Sequence, residues 1–257
     1  MKEERGMLSY FSDLVLFLYS VIKSAWYERK SGRRFILKTT ILQVYFTGFE
    51  ALPIITITAL GLGAVLITQS TTILDQFGMG DYVDKMIVQI LIRELSPLVL
   101  ALVVVGRSGT AMSTELGNMK LNREIQALDV LGINLHYFIV LPRLLGTVIA
   151  MICLVIYFNI LAVFGGYFLL NINSLSSFSL WGAQILSSIS VEDISVSLLK
   201  AAIFGLIVSI VTCSHGLSVK EAFTEVPQVA TKGVVNSIIF CFLINVVMSL
   251  FLFPVGG

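Results

Sequence analysis

Arg93 and Glu94 stand side by side inside an apolar stretch that runs from about Lys85 to Val105. They lie eight or nine residues in from Lys85, about 12–14 Å at 1.5 Å per residue of helix. A charge at that depth in a bilayer costs about 2.5–3.5 kcal/mol on insertion scales. Neighbouring residues on a helix point in different directions, so the two cannot simply pair with each other. Each needs a partner on another helix, or water in a cavity. Two readings stay open: the pair lines a transport pathway, with Arg93 near a phosphate or steering Glu94, or it is an interhelical polar lock. Pro97, one turn on, frees a backbone carbonyl near Arg93. The second concentration of chemistry is the connection GRSGTAMSTELGNMKLNREIQALDVLGINLHYFIVLPR, Gly106 to Arg143. Arg107 and Glu115 bracket its start and suit a salt bridge. No G-x-x-x-x-G-K-[ST] run occurs in the 257 residues, so the sequence offers no phosphate-cradling loop of that kind. His136 and His215 are the only histidines, both near the basic boundary, where a lone imidazole reads as a polar anchor. Cys153, Cys213 and Cys241 fall in apolar runs and fit no zinc spacing.

The elements that must position these residues are spanning helices. Hydrophobic residues make up 56% of the chain and charged ones 13%, with a mean hydropathy of +0.92; an ordinary soluble domain carries about 25% charged residues. That balance excludes a soluble enzyme, a disordered chain, a nucleic-acid binder and a disulfide-rich secreted domain. Five apolar segments reach the ~20 residues needed to span a bilayer core. They run from Ala51 to Leu74 (beginning as early as Ile41), from about Lys85 to Val105, from Phe138 to about Leu170, from Ile194 to Cys213 and from Gly233 to Phe253. None shows the alternation of a barrel strand. The expected fold is an all-α integral membrane protein.

Charge sets the orientation. The N-terminal segment, the 106–143 connection and the 214–232 connection share one side and hold eight, four and two Lys/Arg, whereas the opposite connections hold Lys85 and Lys200. The positive-inside rule places the N-terminus in the cytoplasm and the C-terminus outside. Asp75, Asp81, Asp84, Glu192 and Asp193 fall on the outer side.

Residues 1–38 form a separate interfacial segment, and residues 39–257 the five-helix domain. In the first, Phe11, Leu14, Val15, Leu18, Val21, Ile22 and Ala25 recur at helical spacing, an amphipathic helix lying in the interface with Trp26 and Tyr27 at headgroup level. A signal peptide is the rival reading; Asp13 interrupts the apolar run and no small-residue cleavage site follows. In the connection, about 113–131 reads as a short helix across the basic face, with Leu121, Ile125 and Leu128 as a narrow apolar stripe. Such a helix suits docking in a partner's groove, or is a solvated loop helix with no partner. The small residues Gly61, Gly63, Gly165, Gly166 and Gly205 allow close helix approach, within one subunit or between two.

Arg93-Glu94-Leu95-Ser96-Pro97, Gly106-Arg107, Gly109, Ala111, Glu115, Gly117, Met119, Glu124, Ala127-Leu128 and Pro142-Arg143 resemble the MlaE family. These are permease subunits of lipid-transporting ABC systems in bacterial inner membranes and chloroplast envelopes. The dense motif covers about 50 residues, Arg93 to Arg143; length, interfacial helix, span number and orientation agree with it along the whole chain. Ser96 stands where the family usually has Gly, and Leu135 where a Pro commonly follows.

The resemblance implies a homodimer, each copy resting on a cytoplasmic ATPase subunit, with an MCE-domain protein on the outer face forming a lipid conduit. ATP and Mg would be bound by the partner ATPase, and this chain would hold no cofactor. The 113–131 helix would be the coupling helix, presenting Met119, Lys120, Arg123, Glu124, Leu128 and Asp129, with Arg107 and Glu115 fixing its angle. The dimer would enclose a phospholipid cavity near Arg93 and Glu94, and Leu66, Ile73, Leu74, Phe77 and Leu95 are its expected apolar lining. The N-terminus is not Ser-rich and carries acidic residues early, unlike a transit peptide, so the expected location is a bacterial inner membrane.

Two other function classes compete. An ion-gradient-driven secondary transporter would carry a lipophilic substrate without an ATPase, but no inverted repeat is evident. A membrane scaffold would have no reason to keep Arg93 and Glu94 in the bilayer. A co-purifying ATPase separates the first reading from the second, and bound lipid separates it from the third.

Overall fold

A computed structural model describes residues 7–28, 32–76, 85, 88–165, 168, 188–220 and 222–252. Among these the chain is helical, with no strand. In hydrocarbon every backbone N–H and C=O must be satisfied within the segment, and a helix does this. The described elements are α1 (Met7–Tyr27), α2 (Arg33–Thr47), α3 (Leu52–Gln76), α4 (Ser96–Val104), α5 (Thr110–Leu121), α6 (Glu124–Val130), α7 (Leu141–Ile160), α8 (Val191–Ser218) and α9 (Glu225–Leu252). Wider π-helical stretches, Val88–Leu95 and Val105–Gly109, flank α4, and two more, His136–Val140 and Leu161–Gly165, flank α7.

These elements join into five stretches long and apolar enough to cross a membrane: Arg33–Gln69, Gln89–Leu121, His136–Gly165, Val191–Ser218 and Glu225–Phe251. Two of them start or extend differently from the sequence expectation. The first begins at Arg33, because α2 runs unbroken through residue 38 and continues through a short 3-10 turn, Phe49–Ala51, into α3. The second continues to Leu121, so the start of the connection is a straight rod that stays packed against α8 and α9. Pro97 and Pro142 each lie at the opening of an α-helix preceded by a π-helical stretch. A proline lacks the N–H that an unbroken α-helix requires there, and a locally widened turn accommodates the loss.

α8 is the central helix, packed against α7, α9, α5 and α4. Leu100, Val104, Met151, Phe158, Phe204 and Val208 fill the main core. Close approach depends on small residues: a Cβ on Gly63 would sit 1.9 Å from the Ala162 carbonyl oxygen, and one on Gly205 3.0 Å from Val148 Cα. These glycines therefore pack helices within one subunit, while Gly61 faces open space. Gly166 lies outside the described residues.

A second core joins α1 to the bundle. Leu14 and Val21 are buried with Leu116, Val140, Leu144, Ile210 and Val211. Phe11, Val15 and Ile22 from the same stripe stay exposed, as do Trp26 and Tyr27.

Candidate functional site

Both intramembrane charges are partnered across helices. Arg93 Nε lies 2.7 Å from Asp193 Oδ1 at the start of α8. Asp193 also caps that helix: its Oδ2 accepts from the Ser190 backbone N–H at 2.9 Å, and its own N–H donates to Ser190 Oγ at 3.3 Å. One carboxylate thus ends a helix and neutralises an arginine. Glu94 takes Lys200 Nζ at 2.8 Å on each oxygen, Asn245 Nδ2 at 3.1 Å and Ser249 Oγ at 2.9 Å. Its five donor contacts come from three side chains on α8 and α9. Lys200 is completely buried, whereas the Glu94 side chain keeps 33% exposure. The cluster therefore meets its surroundings through the acid and hides the base.

Lys200 and Asp193 correct the sequence expectation, which put both on the outer connections. Lys200 lies about two and a half turns into α8, and Asp193 is buried at the head of that helix. Asn245 and Ser249 were not anticipated; their spacing of four on one helix, in an otherwise apolar run, is the signal that points to them.

Of the expected apolar lining, Leu66 is half-buried against the main core and Leu95 is half-buried next to Glu94. Ile73 and Leu74 lie on α3, but their side chains, like the whole of Phe77, lie outside the described residues.

The connection differs from the expected single helix over 113–131. α5 ends at Leu121, Arg123 takes a left-handed conformation at φ 60°, and α6 begins at Glu124. Met119 packs against the second core, and Lys120 Nζ donates to the Leu217 carbonyl at the end of α8. These two residues are tied into the bundle. Arg123, Glu124 and Asp129 are exposed, and Leu128 is half-buried. Val130 and Leu131 are 88% and 72% exposed at the end of the short helix. The presented surface is therefore α6 and its two ends.

The expected Arg107–Glu115 bridge is not formed. Arg107 pairs with Glu50 and donates to the Phe46 carbonyl at 3.3 Å. Glu115 pairs with Arg143, Nη2 to Oε1, at 3.0 Å. Residues 107 and 115 are eight apart on a rod, too far along its axis to meet, so each turns to a neighbouring helix.

At the same end, Tyr10 of α1 binds His215 Nε2 through its hydroxyl at 2.8 Å, and Asn236 Nδ2 lies 3.0 Å from that nitrogen. Burial raises the Tyr10 pKa above its ordinary value, and the bond from Asn236 acts in the opposite direction.

A family profile described as Permease MlaE matches residues 40–251. A probable ABC transporter permease protein of Rickettsia typhi is 31% identical, over 97% of this chain and 92% of the relative. The intermembrane phospholipid transport system permease protein MlaE of Haemophilus influenzae is 26% identical, over 84% of this chain and 83% of the relative. A chloroplastic protein of Arabidopsis thaliana named trigalactosyldiacylglycerol 1 is 27% identical, over 86% of this chain and 63% of the relative.

Proposed function

The chain belongs to the MlaE permease family, and from that premise we propose that it is the membrane subunit of an ABC transporter that moves phospholipid between a bacterial inner membrane and an MCE-protein conduit on the outer face. Two copies form the permease, each with its N-terminus in the cytoplasm and its C-terminus outside, and with residues 1–38 at the interface. A separate ATPase subunit binds ATP and Mg and seats on each copy.

The observation that carries this reading is the surface at α6. It presents the exposed Val130 and Leu131 at one end and the exposed charges Arg123, Glu124 and Asp129 along the rest, an apolar tip on a charged helix suited to a partner's groove. Met119 and Lys120, held to the bundle, carry the motion of that tip into the second span. Arg107 and Glu115 fix the angle of the rod through their separate pairs with Glu50 and Arg143. Closure of the ATPases then moves helices as rigid bodies and reshapes the lipid cavity. Arg93, Glu94 and Leu95 lie on one side of that cavity, and Leu66, Ile73, Leu74 and Phe77 supply its apolar wall. Glu94 meets the lipid through its exposed edge.

The test is purification of the tagged chain from its native membrane in mild detergent, with mass spectrometry of everything retained. An ATP-binding subunit, an MCE-domain protein and phospholipid are expected together. A lone chain without ATPase or lipid in several detergents overturns the proposal in favour of a gradient-driven transporter. The charge reversal Arg123→Glu with Glu124→Lys is expected to reduce the retained ATPase while the bundle still folds.

A further inference from the structure

A cavity of about 360 Å³ opens between α2 and the second span, far from Glu94. Residues 94 and 107 are about 20 Å apart along a helix at 1.5 Å per residue. Gln43, Phe46, Glu50, Arg107, Ala111 and Glu115 are among its lining residues. Its depth is set by sequence. Glu50 immediately precedes the charge-free run Ala51–Leu74, and Arg107 immediately follows the charge-free run 95–106. Both charges therefore stand at the edge of the hydrocarbon, at headgroup level.

We propose that this cavity binds the headgroup of a zwitterionic phospholipid, a phosphodiester carrying an ammonium group, from the leaflet at the basic end of the bundle. The proposal rests on the lipid-permease reading and adds to it a second site and a headgroup class.

Charge balance carries the argument. The cavity holds Glu50 paired with Arg107, and Glu115 paired with Arg143 from behind the wall. Two acids face two bases, so the site has no surplus to attract a plain anion or a plain cation. It can exchange partners with a ligand that brings one charge of each sign. The contacts of Arg107 to Glu50 and Phe46 occupy only part of its five-donor fork, and a guanidinium matches phosphate oxygens in pairs. Glu115 is 64% exposed and faces the ammonium, while Arg143 behind it is only 8% exposed. Arg143 Nη1 is buried without a hydrogen-bond partner among the described residues. Such an orphaned donor is costly, and movement of Glu115 toward a ligand leaves room for an oxygen to reach it. The half-exposed Phe46 ring adds a face on which an ammonium can rest. The volume equals roughly twelve waters at about 30 Å³ each, enough for a phosphate with a short aminoalcohol and too small for a pair of acyl chains.

The experiment uses the full chain, purified with whatever partners accompany it, in nanodiscs of equimolar phosphatidylethanolamine and phosphatidylglycerol with matched acyl chains. Native mass spectrometry counts the retained lipids. Wild type is expected to retain phosphatidylethanolamine over phosphatidylglycerol by about tenfold. Arg107→Gln removes the phosphate ligand and is expected to abolish that preference. Ala111→Trp fills the cavity and leaves both ion pairs in place. It is expected to have the same effect, and it keeps the test decisive if Arg107→Gln folds poorly. Retention of phospholipid without headgroup preference, or a preference unchanged in Ala111→Trp, overturns the headgroup site and leaves the permease reading intact. Loss of the preference in millimolar inorganic phosphate also overturns it, because the cavity then recognises the anion alone. Absence of any phospholipid from wild type overturns both.

Discussion

Lys200 has no exposure, and its ammonium rests on Glu94 and Ser249. Removing one partner of a buried ion pair typically costs about 3–5 kcal/mol, because the other charge is left behind, whereas replacing both with apolar groups can be nearly neutral. Lys200→Met is therefore expected to destabilise the detergent-solubilised protein by about 3 kcal/mol. The double variant Lys200→Met, Glu94→Gln is expected to recover most of that loss, measured by thermal unfolding as a double-mutant cycle. Additive losses would mean that the two groups do not act as a pair. Tyr10 gives a pH dependence. Its phenol has a pKa above the ordinary value of about 10 in the folded chain. The folded state therefore holds the proton more tightly than the unfolded one, and stability declines as pH rises through that ordinary value toward the raised one. Tyr10→Phe is expected to lose part of that alkaline decline, read from melting temperatures between about pH 8 and 11. An identical decline in the variant would assign it to other groups.

Helix existence was legible from the sequence, and helix junctions were not. Five long apolar runs place five spans because hydrocarbon tolerates little else. The break between α5 and α6 carries no Gly or Pro: the chain turns at Asn122–Arg123, with Arg123 left-handed. A non-glycine residue pays about 1–2 kcal/mol for that conformation, which no hydrophobic pattern reveals. Arg123→Gly and Arg123→Val lose the same charge and differ in strain. The glycine variant is expected to melt higher, by about 1–2 kcal/mol of stability; equal melting would show that the turn relaxes. The partners of Arg93 and Glu94 were unreadable for a related reason. The sequence states that each needs a partner, but Asp193 and Lys200 are brought to them only by the packing of α8 on the second span. A count of Lys and Arg by connection even assigned Lys200 to the wrong environment. Arg107 and Glu115 show the converse error: nearness in the chain suggested a bridge that the rise of a straight helix forbids.

At the scale of the molecule, α8 sits at the centre and α9 on the outside, where Val235, Ile239, Phe242, Val246 and Leu250 face outward. Arg93 and Glu94 form ion pairs on α8, with Asp193 and Lys200, and Asn245 and Ser249 of α9 add hydrogen bonds to Glu94. Lys200 follows Glu94 by 106 residues, and Ser249 follows it by 155. A ribosome adds about 5–20 residues per second. Glu94 therefore leaves it several seconds or more before Lys200, Asn245 or Ser249 has been synthesised. During that interval Glu94 lacks those donors, so the second span is expected to reach its final depth only when α8 arrives. Membrane insertion of this chain is consequently expected to be ordered in time, with the second span waiting for the fourth. A chain truncated at Ser190 is expected to hold its second span poorly, and Arg93→Leu with Glu94→Leu is expected to rescue it, as scored by a glycosylation reporter placed after residue 121. Full insertion of the truncated wild-type chain would show instead that lipid headgroups or water serve those charges while the rest is being made.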